Sequence, residues 1–449
     1  MSPMHEFLKA LASRAKSSLL LDNLIRRNPL YYGHAVRLHY RLAELSLDER
    51  KAWLHGRLKK MLRAAGRTRY GRRWGAGDEF ESWPILEKTT VRTDPSAFLT
   101  RPRWLFTAPG NTSGTTGMPL QVYRSLRSVT IEQASFDYLF QSLRGRDPRT
   151  ERIAILRGDN IKDPGDLTPP FWRYCKGGSL LILSSNHITP VTARAYYDVL
   201  CEFRPGILIA YPTSLEALGG FLRDQGRRVD IPAVLTHAEV QTRATREVCI
   251  EVFGTIPIDQ YGHAERVVFA YSGDGEAYYF LPGHSYVELR FVDTDMPEGV
   301  DLYEVIGTSL WNAVMPFVRY ATGDHIRVPA GASPAALEEI RLGIRPFRGI
   351  VGRRSDYLIS PEGARLMGID HIPYDVQNVV QMQVIQDTLN DVRILVVPGA
   401  GFGNADARKI MDNAYMKIPR SMRVKIETVD RLERTANGKA PYVIRRVSG

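Results

Sequence analysis

Glycines, threonines and a serine fill most of residues 111–119 (NTSGTTGMP), and this composition suits the binding of an anion. Glycines allow positive φ angles and close backbone approach, so consecutive N–H groups can converge on an anion while the hydroxyls add donors. The flanking runs RWLFTAP and LQVYRS are typical of strands, which predicts a tight loop suited to a nucleotide triphosphate. A flexible linker has the same composition, and the Gly-Lys-Ser/Thr ending of a Walker A loop is absent.

A second segment, residues 259–265 (DQYGHAE), combines an aromatic ring with two carboxylates. The ring of Tyr261 can stack on a purine, and Glu265 is suited to the Mg²⁺ ion that bridges ATP oxygens. The same tyrosine in isolation is more often a packed core residue, so the segment alone does not establish a nucleotide site.

Two further segments place a charged side chain beside a glycine. In residues 319–324 (RYATGD) an ionised Asp324 can accept both hydroxyls of a ribose diol, although turn aspartates are common. In residues 434–439 (RTANGK) the ammonium group of Lys439 can neutralise charge that develops on an α-phosphate and an attacking carboxylate. A solvated surface lysine is the alternative interpretation.

The elements that must position these residues follow from the periodicity of the chain. From about residue 104, short apolar runs such as RIAILRG, SLLILSS, GILIAYP and PAVLTHA alternate with helical stretches, which predicts an α/β domain with largely parallel sheets. Residues 1–75 are basic and helical in pattern, with Ser46 and Glu49 at capping-box spacing. We predict a helical segment (1–75) packed on a large α/β domain with mixed sheets (76–351), followed by a small mobile α+β domain (352–449).

Composition and charge limit the classes of partner. The chain of 449 residues carries a net charge of +11 and has a pI near 9.5, which favours phosphate-rich cofactors or an acidic carrier protein. No nucleic-acid recognition module is visible, and the apolar runs are too short for a transmembrane or secretory segment, so we expect a cytoplasmic protein. The three cysteines form no CxxC pair and the ten histidines form no close-spaced pair, which argues against a disulfide framework and a zinc site.

Taken together and in this order, the segments resemble motifs of the adenylate-forming enzymes, which include acyl- and aryl-CoA ligases. The resemblance is closest to the phenylacetate–CoA ligase-like branch. NTSGTTGMP resembles the phosphate loop of that family, YGHAE its Tyr-Gly-x-x-Glu motif, and RYATGD its Tyr-x-Thr-Gly-Asp motif. GRRSD at residues 352–356 resembles the interdomain hinge, and RTANGK resembles the catalytic-lysine motif.

The resemblance implies a role for each matching position. Glu265 would hold Mg²⁺, and Lys439 on the C-terminal domain would promote adenylation before that domain rotates about the hinge. The implied ATP-binding residues are Thr112, Ser113, Gly114, Thr115, Thr116, Gly117, His237, Ala238, Glu239, Tyr261, Gly262, Asp324 and Arg353. The hinge residues would be Ser355 and Asp356.

Two positions depart from the family pattern. Met118 stands where the phosphate loop often has a lysine, and Arg124 or Arg127 is a candidate replacement. The hinge has Arg354, Ser355 and Asp356 where a pair of acidic residues is frequent, so the pivot residue is not identified.

The function that this resemblance implies is a two-step ligation. A carboxylate attacks the α-phosphate of MgATP, and the acyl-adenylate then reacts with a phosphopantetheine thiol of CoA or of an acyl carrier protein. We expect an aryl acid such as a hydroxybenzoate, with a fatty acid as the alternative, in a pocket formed by Phe136, Tyr138, Tyr211 and His263. Transfer to an amine or hydroxyl is an alternative, and so is a non-catalytic nucleotide-binding protein.

Overall fold

The structure is a computed structural model. It describes residues 24–74, 79–100, 107–111, 120–295, 298–351, 357–366, 368–399, 401–433 and 441–447. Three predicted segments lie outside the described residues: the phosphate loop from Thr112 to Pro119, the hinge from Gly352 to Asp356, and the lysine motif from Arg434 to Lys439. The roles predicted for their residues stay predictions.

Helices and strands alternate through most of the described chain. The helices are α1 Tyr32–Glu44, α2 Leu47–Ala65, α3 Arg69–Trp74, α4 Lys88–Thr93, α5 Leu126–Arg144, α6 Ala193–Phe203, α7 Pro212–Asp224, α8 Arg243–Phe253, α9 Pro334–Arg341 and α10 Asn404–Tyr415. The strands are β1 Thr107–Asn111, β2 Gln121–Ser125, β3 Ile153–Arg157, β4 Trp172–Cys175, β5 Leu180–Ser184, β6 Ile207–Ala210, β7 Ala233–His237, β8 Ile258–Gly262, β9 Phe269–Ser272, β10 Tyr278–Phe280, β11 Ser285–Asp295, β12 Val300–Ser309, β13 Tyr320–Pro329, β14 Ile350–Val351, β15 Leu358–Ile359, β16 Arg365–Leu366, β17 Val379–Gln386, β18 Asp391–Pro398, β19 Arg423–Thr428 and β20 Val443–Arg445.

A central sheet has the strand order β10-β9-β8-β7-β6-β3-β5-β4. Strands β5, β3, β6, β7 and β8 are parallel, whereas β4, β9 and β10 add antiparallel edges. The four apolar runs singled out in the sequence form β3, β5, β6 and β7, which confirms the predicted α/β fold with mixed, largely parallel sheets.

Helices cover both faces of this sheet, which explains why its strands are continuously apolar. All five residues of β5 are buried. Helices α6, α7 and α8 pack on one face around Leu156 and Leu208, and α5 packs on the other face around Ile207 and Leu235. The alternation of Ile207 and Leu208 between the two cores is the two-residue periodicity of a strand.

The N-terminal helices pack on the large domain through a core of their own. Ser46 caps α2 in a capping box with Glu49, as the sequence predicts. The helix then buries Leu54, Leu58 and Met61, the residues whose spacing indicates its apolar face.

A second sheet with the order β11-β12-β13-β14 and the hairpin β1–β2 complete the large domain. In the hairpin, Asn111 pairs with Gln121, so residues 112–119 connect two paired strands as the sequence predicts. Asn312 fixes the hairpin, because its side-chain Oδ1 accepts from the Ser125 N–H (2.9 Å) and its Nδ2 donates to the Tyr123 carbonyl (2.9 Å).

The described residues from 357 onward form what we call the C-terminal unit, an α+β structure with a separate core. Its sheet has the order β19-β18-β17-β20, and α10 packs on it. Lys417 Nζ donates to the Gly158 carbonyl (2.9 Å), and Arg365 lies 3.9 Å from Glu216. The first contact joins the unit to the loop after β3 and the second joins it to helix α7, while the domain boundary itself stays a prediction.

No helix in the described parts of the chain combines the length and the apolar character needed to cross a membrane.

Candidate active site

A cavity of about 500 Å³ lies where the carboxyl ends of β7 and β8 approach β13. The carboxyl edge of parallel strands is the usual ligand position in α/β sheets. The walls of the cavity come from six segments of the chain. They are Glu87, Lys88, Ala238, Glu239, Val240, Asp259, Gln260, Tyr261, Gly262, His263, Ala264, Glu265, Tyr278, Tyr320, Ala321, Thr322, Gly323, Asp324 and Ile350.

A bulge in β13 directs Asp324 into this cavity. Pairing with β12 jumps from Glu304↔His325 to Ile306↔Ala321, so three residues of β13 oppose Val305 alone. Gly323 takes a φ of +73°, which glycine adopts without strain. Thr322 Oγ1 donates to the Val305 carbonyl (2.7 Å) and accepts from the Asp324 N–H (3.1 Å), so the hydroxyl holds the bulge together.

Asp324 joins the two sequence motifs that line the cavity. Its Oδ2 accepts a hydrogen bond from the Tyr261 hydroxyl (3.1 Å) and lies 2.8 Å from His263 Nε2. The rings of Tyr261 and His263 pack edge to face at 4.8 Å. Burial and the Asp324 carboxylate raise the pKa of Tyr261 well above its usual value, so the phenol stays neutral and its ring is fixed as a wall of the cavity.

Glu265 is a buried carboxylate with one neutral and one cationic partner. Its Oε1 accepts from the Tyr320 hydroxyl (2.7 Å) and lies 3.3 Å from Lys88 Nζ. Burial acts to raise the pKa of Glu265, but the charges of Lys88 and His263 and the Tyr320 hydrogen bond outweigh it, and the pKa is lowered. Glu265 is therefore an anion at neutral pH, as a ligand of Mg²⁺ must be.

No cluster of three or more His, Cys, Asp or Glu side chains suited to a metal ion occurs among the described residues. Mg²⁺ is usually held by one or two carboxylates together with substrate phosphates, so the single ionised Glu265 fits an ion that arrives with ATP.

Lys88 is the residue of this cavity that sequence reasoning missed. Leu86 runs beside β13: its N–H donates to the Arg319 carbonyl (2.8 Å), and its carbonyl accepts from the Ala321 N–H (3.0 Å). This pairing carries Lys88, the first residue of α4, to Glu265. Nothing in the local sequence PILEKTT distinguishes this lysine from a surface residue, because its position depends on a contact with a strand more than 230 residues away.

Glu239 and the adjacent Ala238 form the edge of the cavity after β7. Ala238 has a φ of +68°, which is uncommon for a residue with a Cβ. Glu239 Oε2 accepts from the Thr213 N–H (3.0 Å) and the Thr213 hydroxyl (2.8 Å) in the first turn of α7. A carboxylate at a helix N-terminus is electrostatically favourable, so Glu239 fixes the loop that follows β7.

Asp259, the other carboxylate of the DQYGHAE segment, also lines the cavity. It accepts hydrogen bonds from the Tyr278 hydroxyl (2.6 Å) and the Thr236 hydroxyl (2.9 Å). Burial raises the pKa of Asp259 to about 6 in spite of these hydrogen bonds. The group is a buried acceptor whose charge depends on pH near neutrality.

Three of the four residues predicted to form the acid pocket lie outside the cavity wall. Only His263 of that set lines it. Phe136 packs edge-on against Phe269 (5.5 Å), and Tyr138 packs edge-on against Tyr40 (4.9 Å) in the core beside α5. Their role in acid binding stays a prediction.

Tyr211 and His237 likewise lie outside the cavity wall. Tyr211 packs against His237, with ring centroids 5.3 Å apart, at the carboxyl ends of β6 and β7. Both side chains therefore lie at the same sheet edge as the cavity but not in its wall.

The two arginines considered as replacements for a lysine at Met118 both contact other groups. Arg127 stacks on Trp311, with its Cζ 5.0 Å from the ring centroid. Arg124 Nε donates to the Ala264 carbonyl (3.0 Å), and its guanidinium lies over Gly110, where a Cβ would be 2.4 Å from Cζ. Arg124 thus links the β1–β2 hairpin to the loop that carries Glu265.

Part of the chain matches a protein family model. Residues 358–446, most of the C-terminal unit, match the model described as the CapK C-terminal domain. Over 371 residues the chain is 22% identical to Protein CapK from Staphylococcus aureus, and the match covers 81% of this chain and 80% of that protein.

Several solved structures are also similar to this chain. For 2-hydroxyisobutyryl-CoA ligase in complex with 2-HIB-AMP and CoA the TM-score is 0.49 at 15% identity, covering 90% of this chain and 91% of that one. For the amide bond synthetase McbA from Marinactinospora thermotolerans it is 0.37 at 17% identity, covering 76% and 69%. For a malonyl-CoA ligase with methylmalonyl-CoA and AMP it is 0.35 at 17% identity, covering 73% and 71%. Two of these proteins are named as acid–CoA ligases. The phenylacetate–CoA ligase-like branch stays a prediction for this chain.

Proposed function

We propose that this protein activates a carboxylic acid with ATP, forming an acyl-adenylate and pyrophosphate, and then transfers the acyl group to a phosphopantetheine thiol. The observation that carries the proposal is the cavity in which Tyr261, Asp324, Glu265 and Lys88 meet. Such a set combines a flat wall, a diol acceptor, a metal carboxylate and a cation, which are the groups needed for MgATP.

The nucleoside half of ATP would lie between Tyr261 and Asp324. The Tyr261 ring offers its apolar face to adenine, and its hydroxyl is held by Asp324 at 3.1 Å. The Asp324 carboxylate accepts hydrogen bonds, and ribose hydroxyls donate them. Asp259 adds a buried acceptor on the same wall, suited to the exocyclic amine of adenine.

The phosphate half would lie toward Glu265 and Lys88. Glu265 would hold Mg²⁺, and the bound ion would neutralise part of the phosphate charge. Lys88 is the one lysine or arginine among the described residues of the wall, and it would supply charge that Met118 cannot. Tyr320 orients the Glu265 carboxylate through the 2.7 Å hydrogen bond.

The chemistry requires little covalent work from the protein. The carboxylate attacks the α-phosphorus, the bond to pyrophosphate breaks, and the acyl-adenylate forms as negative charge spreads over the phosphate oxygens. Lys439 would neutralise that charge during adenylation. A thiolate then attacks the acyl carbon and AMP leaves, with CoA or an acyl carrier protein as the thiol source.

Acid-dependent exchange of labelled pyrophosphate into ATP tests the first step, run with a panel of aryl, alkyl and hydroxylated acids. Glu265→Gln keeps the volume of the side chain but removes its charge, so we expect exchange to fall by about 10²-fold or more. Lys439→Ala should reduce exchange to a similar extent while ATP still binds.

Lys425→Ala, which removes a lysine exposed on β19, is the matched control and should leave exchange unchanged. Exchange that survives intact in both Glu265→Gln and Lys439→Ala would contradict the proposal. Binding of ATP without exchange for any acid would favour a non-catalytic nucleotide-binding protein.

A further inference from the structure

Three polar side chains stand in one row at the carboxyl ends of adjacent parallel strands. Leu156, Ala210 and Thr236 are paired neighbours on β3, β6 and β7. Arg157 follows Leu156, Tyr211 follows Ala210, and His237 follows Thr236. We call these three residues the β3–β6–β7 row. Neighbouring strands lie about 4.8 Å apart, so one small molecule can contact all three side chains.

The side chains of the row form a wall with several hydrogen-bond donors. The Tyr211 and His237 rings pack at 5.3 Å. Burial and the positive charge of Arg157 lower the pKa of His237 to about 4, so this imidazole is neutral at physiological pH and has one N–H donor.

Arg157 is the cation of the row and is held in place by an aspartate. Its Nε lies 2.5 Å from Asp159 Oδ2, and 41% of the Arg157 side chain is exposed. Arginine has five N–H donors in a rigid plane, so a contact through Nε leaves the far edge of the guanidinium directed at solvent or a ligand.

The row adjoins the nucleotide cavity on one side and the C-terminal unit on the other. His237 is followed directly by Ala238 and Glu239, which line the cavity. Lys417 of the C-terminal unit contacts the carbonyl of Gly158, the residue after Arg157. A ligand at the row would therefore lie next to the cavity and next to the C-terminal unit.

We propose that Arg157 is a specificity-determining residue, and that the acid substrate carries an acceptor oxygen on its tail which the Arg157 guanidinium binds. This inference rests on the proposed function and names the substrate class of the same site. An acid with a wholly apolar tail offers no acceptor to the Arg157 N–H groups that do not contact Asp159 when it displaces water from them, and it is disfavoured for that reason.

The test uses pairs of acids that differ by one tail oxygen function: benzoate with 4-hydroxybenzoate, and pentanoate with 5-hydroxypentanoate and with glutarate. Pyrophosphate exchange gives kcat/KM for each acid. A hydrogen bond to a charged group accounts for about a tenfold preference or more, which we expect for at least one oxygen-bearing acid over its apolar partner. In Arg157→Met that preference should fall by about tenfold, through loss on the oxygen-bearing acid only.

Arg228→Met is the matched control. Arg228 also pairs with an aspartate two residues later (Arg228 Nε to Asp230 Oδ1, 2.9 Å), but on the loop that enters β7 at the opposite edge of the sheet. The control should keep the wild-type preference. An equal loss on both acids of a pair in Arg157→Met, or a wild-type preference for every apolar acid, would overturn the inference.

Failure of the proposed function gives a different result. If no acid supports exchange, the same pairs are titrated calorimetrically in the presence of a non-hydrolysable ATP analogue. If an oxygen-bearing acid binds more tightly than its apolar partner and Arg157→Met abolishes this difference, the inference is supported even then. Equal binding of all pair members overturns it.

Discussion

Replacing Lys88 with methionine removes the cation beside Glu265 and leaves a side chain of similar length. The Lys88 ammonium lies 3.3 Å from Glu265 Oε1, and 33% of the side chain is exposed. Two unit charges 4 Å apart near a protein surface interact by about 4 kcal/mol. Solvent screens an ammonium this exposed, so we expect it to contribute about 1–2 kcal/mol to triphosphate binding. The KM for ATP in pyrophosphate exchange should therefore rise by about 5- to 30-fold.

The same substitution has a consequence for pH dependence. Burial acts to raise the pKa of Glu265, and the Lys88 charge is the largest of the effects that lower it. Without that charge the pKa of Glu265 rises, so the Lys88→Met enzyme should lose activity at a higher pH than the wild type as the medium is acidified.

A second lysine–glutamate pair provides the control. Lys51 lies 3.5 Å from Glu338, and its side chain is 34% exposed, nearly the same as that of Lys88. Lys51→Met should change neither the KM for ATP nor the pH profile. The reasoning is refuted if Lys88→Met leaves the KM for ATP unchanged, or if both variants change it equally.

Three further predictions concern two carboxylates of the cavity wall and a close backbone contact in the core. Asp324→Asn should weaken ATP binding by about 2 kcal/mol. In calorimetry this variant should bind ATP and 2′-deoxy-ATP with equal affinity. Equal affinities for the wild type would contradict the assignment of Asp324 to the ribose. Because the pKa of Asp259 is raised to about 6, the contribution of this group to native stability falls as pH rises from about 4 to 6. In urea unfolding, Asp259→Asn should therefore gain up to about 3 kcal/mol relative to the wild type over that range. A stability difference between the two proteins that does not change with pH would contradict this prediction. A Cβ at Gly307 would lie 2.3 Å from the Val267 carbonyl, so Gly307→Ala should destabilise the protein by about 1–3 kcal/mol. Gly56→Ala, a helical site with open space around it, should instead stabilise it by up to about 1 kcal/mol, and equal losses in both variants would exclude the close approach as the cause.

The sequence was sufficient to predict the layered fold and two of the segments that line the cavity. Strands β3, β5, β6 and β7 were identifiable because parallel strands covered on both faces are continuously apolar. Glu265 and Asp324 were identifiable because each sits in a short motif with glycine beside polar residues, and both line the same cavity.

What the sequence did not show depends on contacts between distant segments. Lys88 reaches Glu265 only because Leu86 hydrogen-bonds along β13. The bulge that directs Asp324 inward needs the Val305 carbonyl of a neighbouring strand. Phe136 lies on helix α5, but which face of α5 meets the core depends on helix α1 and the sheet, and local periodicity does not specify either.

The most direct test of the account follows the oxygen atoms of the acid substrate. With a carboxylate labelled at both oxygens with ¹⁸O, together with ATP, Mg²⁺ and CoA or a phosphopantetheinylated carrier protein, one labelled oxygen should appear in AMP and one in the thioester. AMP that is heavier by one ¹⁸O is the predicted result. Release of unlabelled AMP, or of ADP and phosphate, in the presence of an acid that the protein consumes would contradict the formation of an acyl-adenylate.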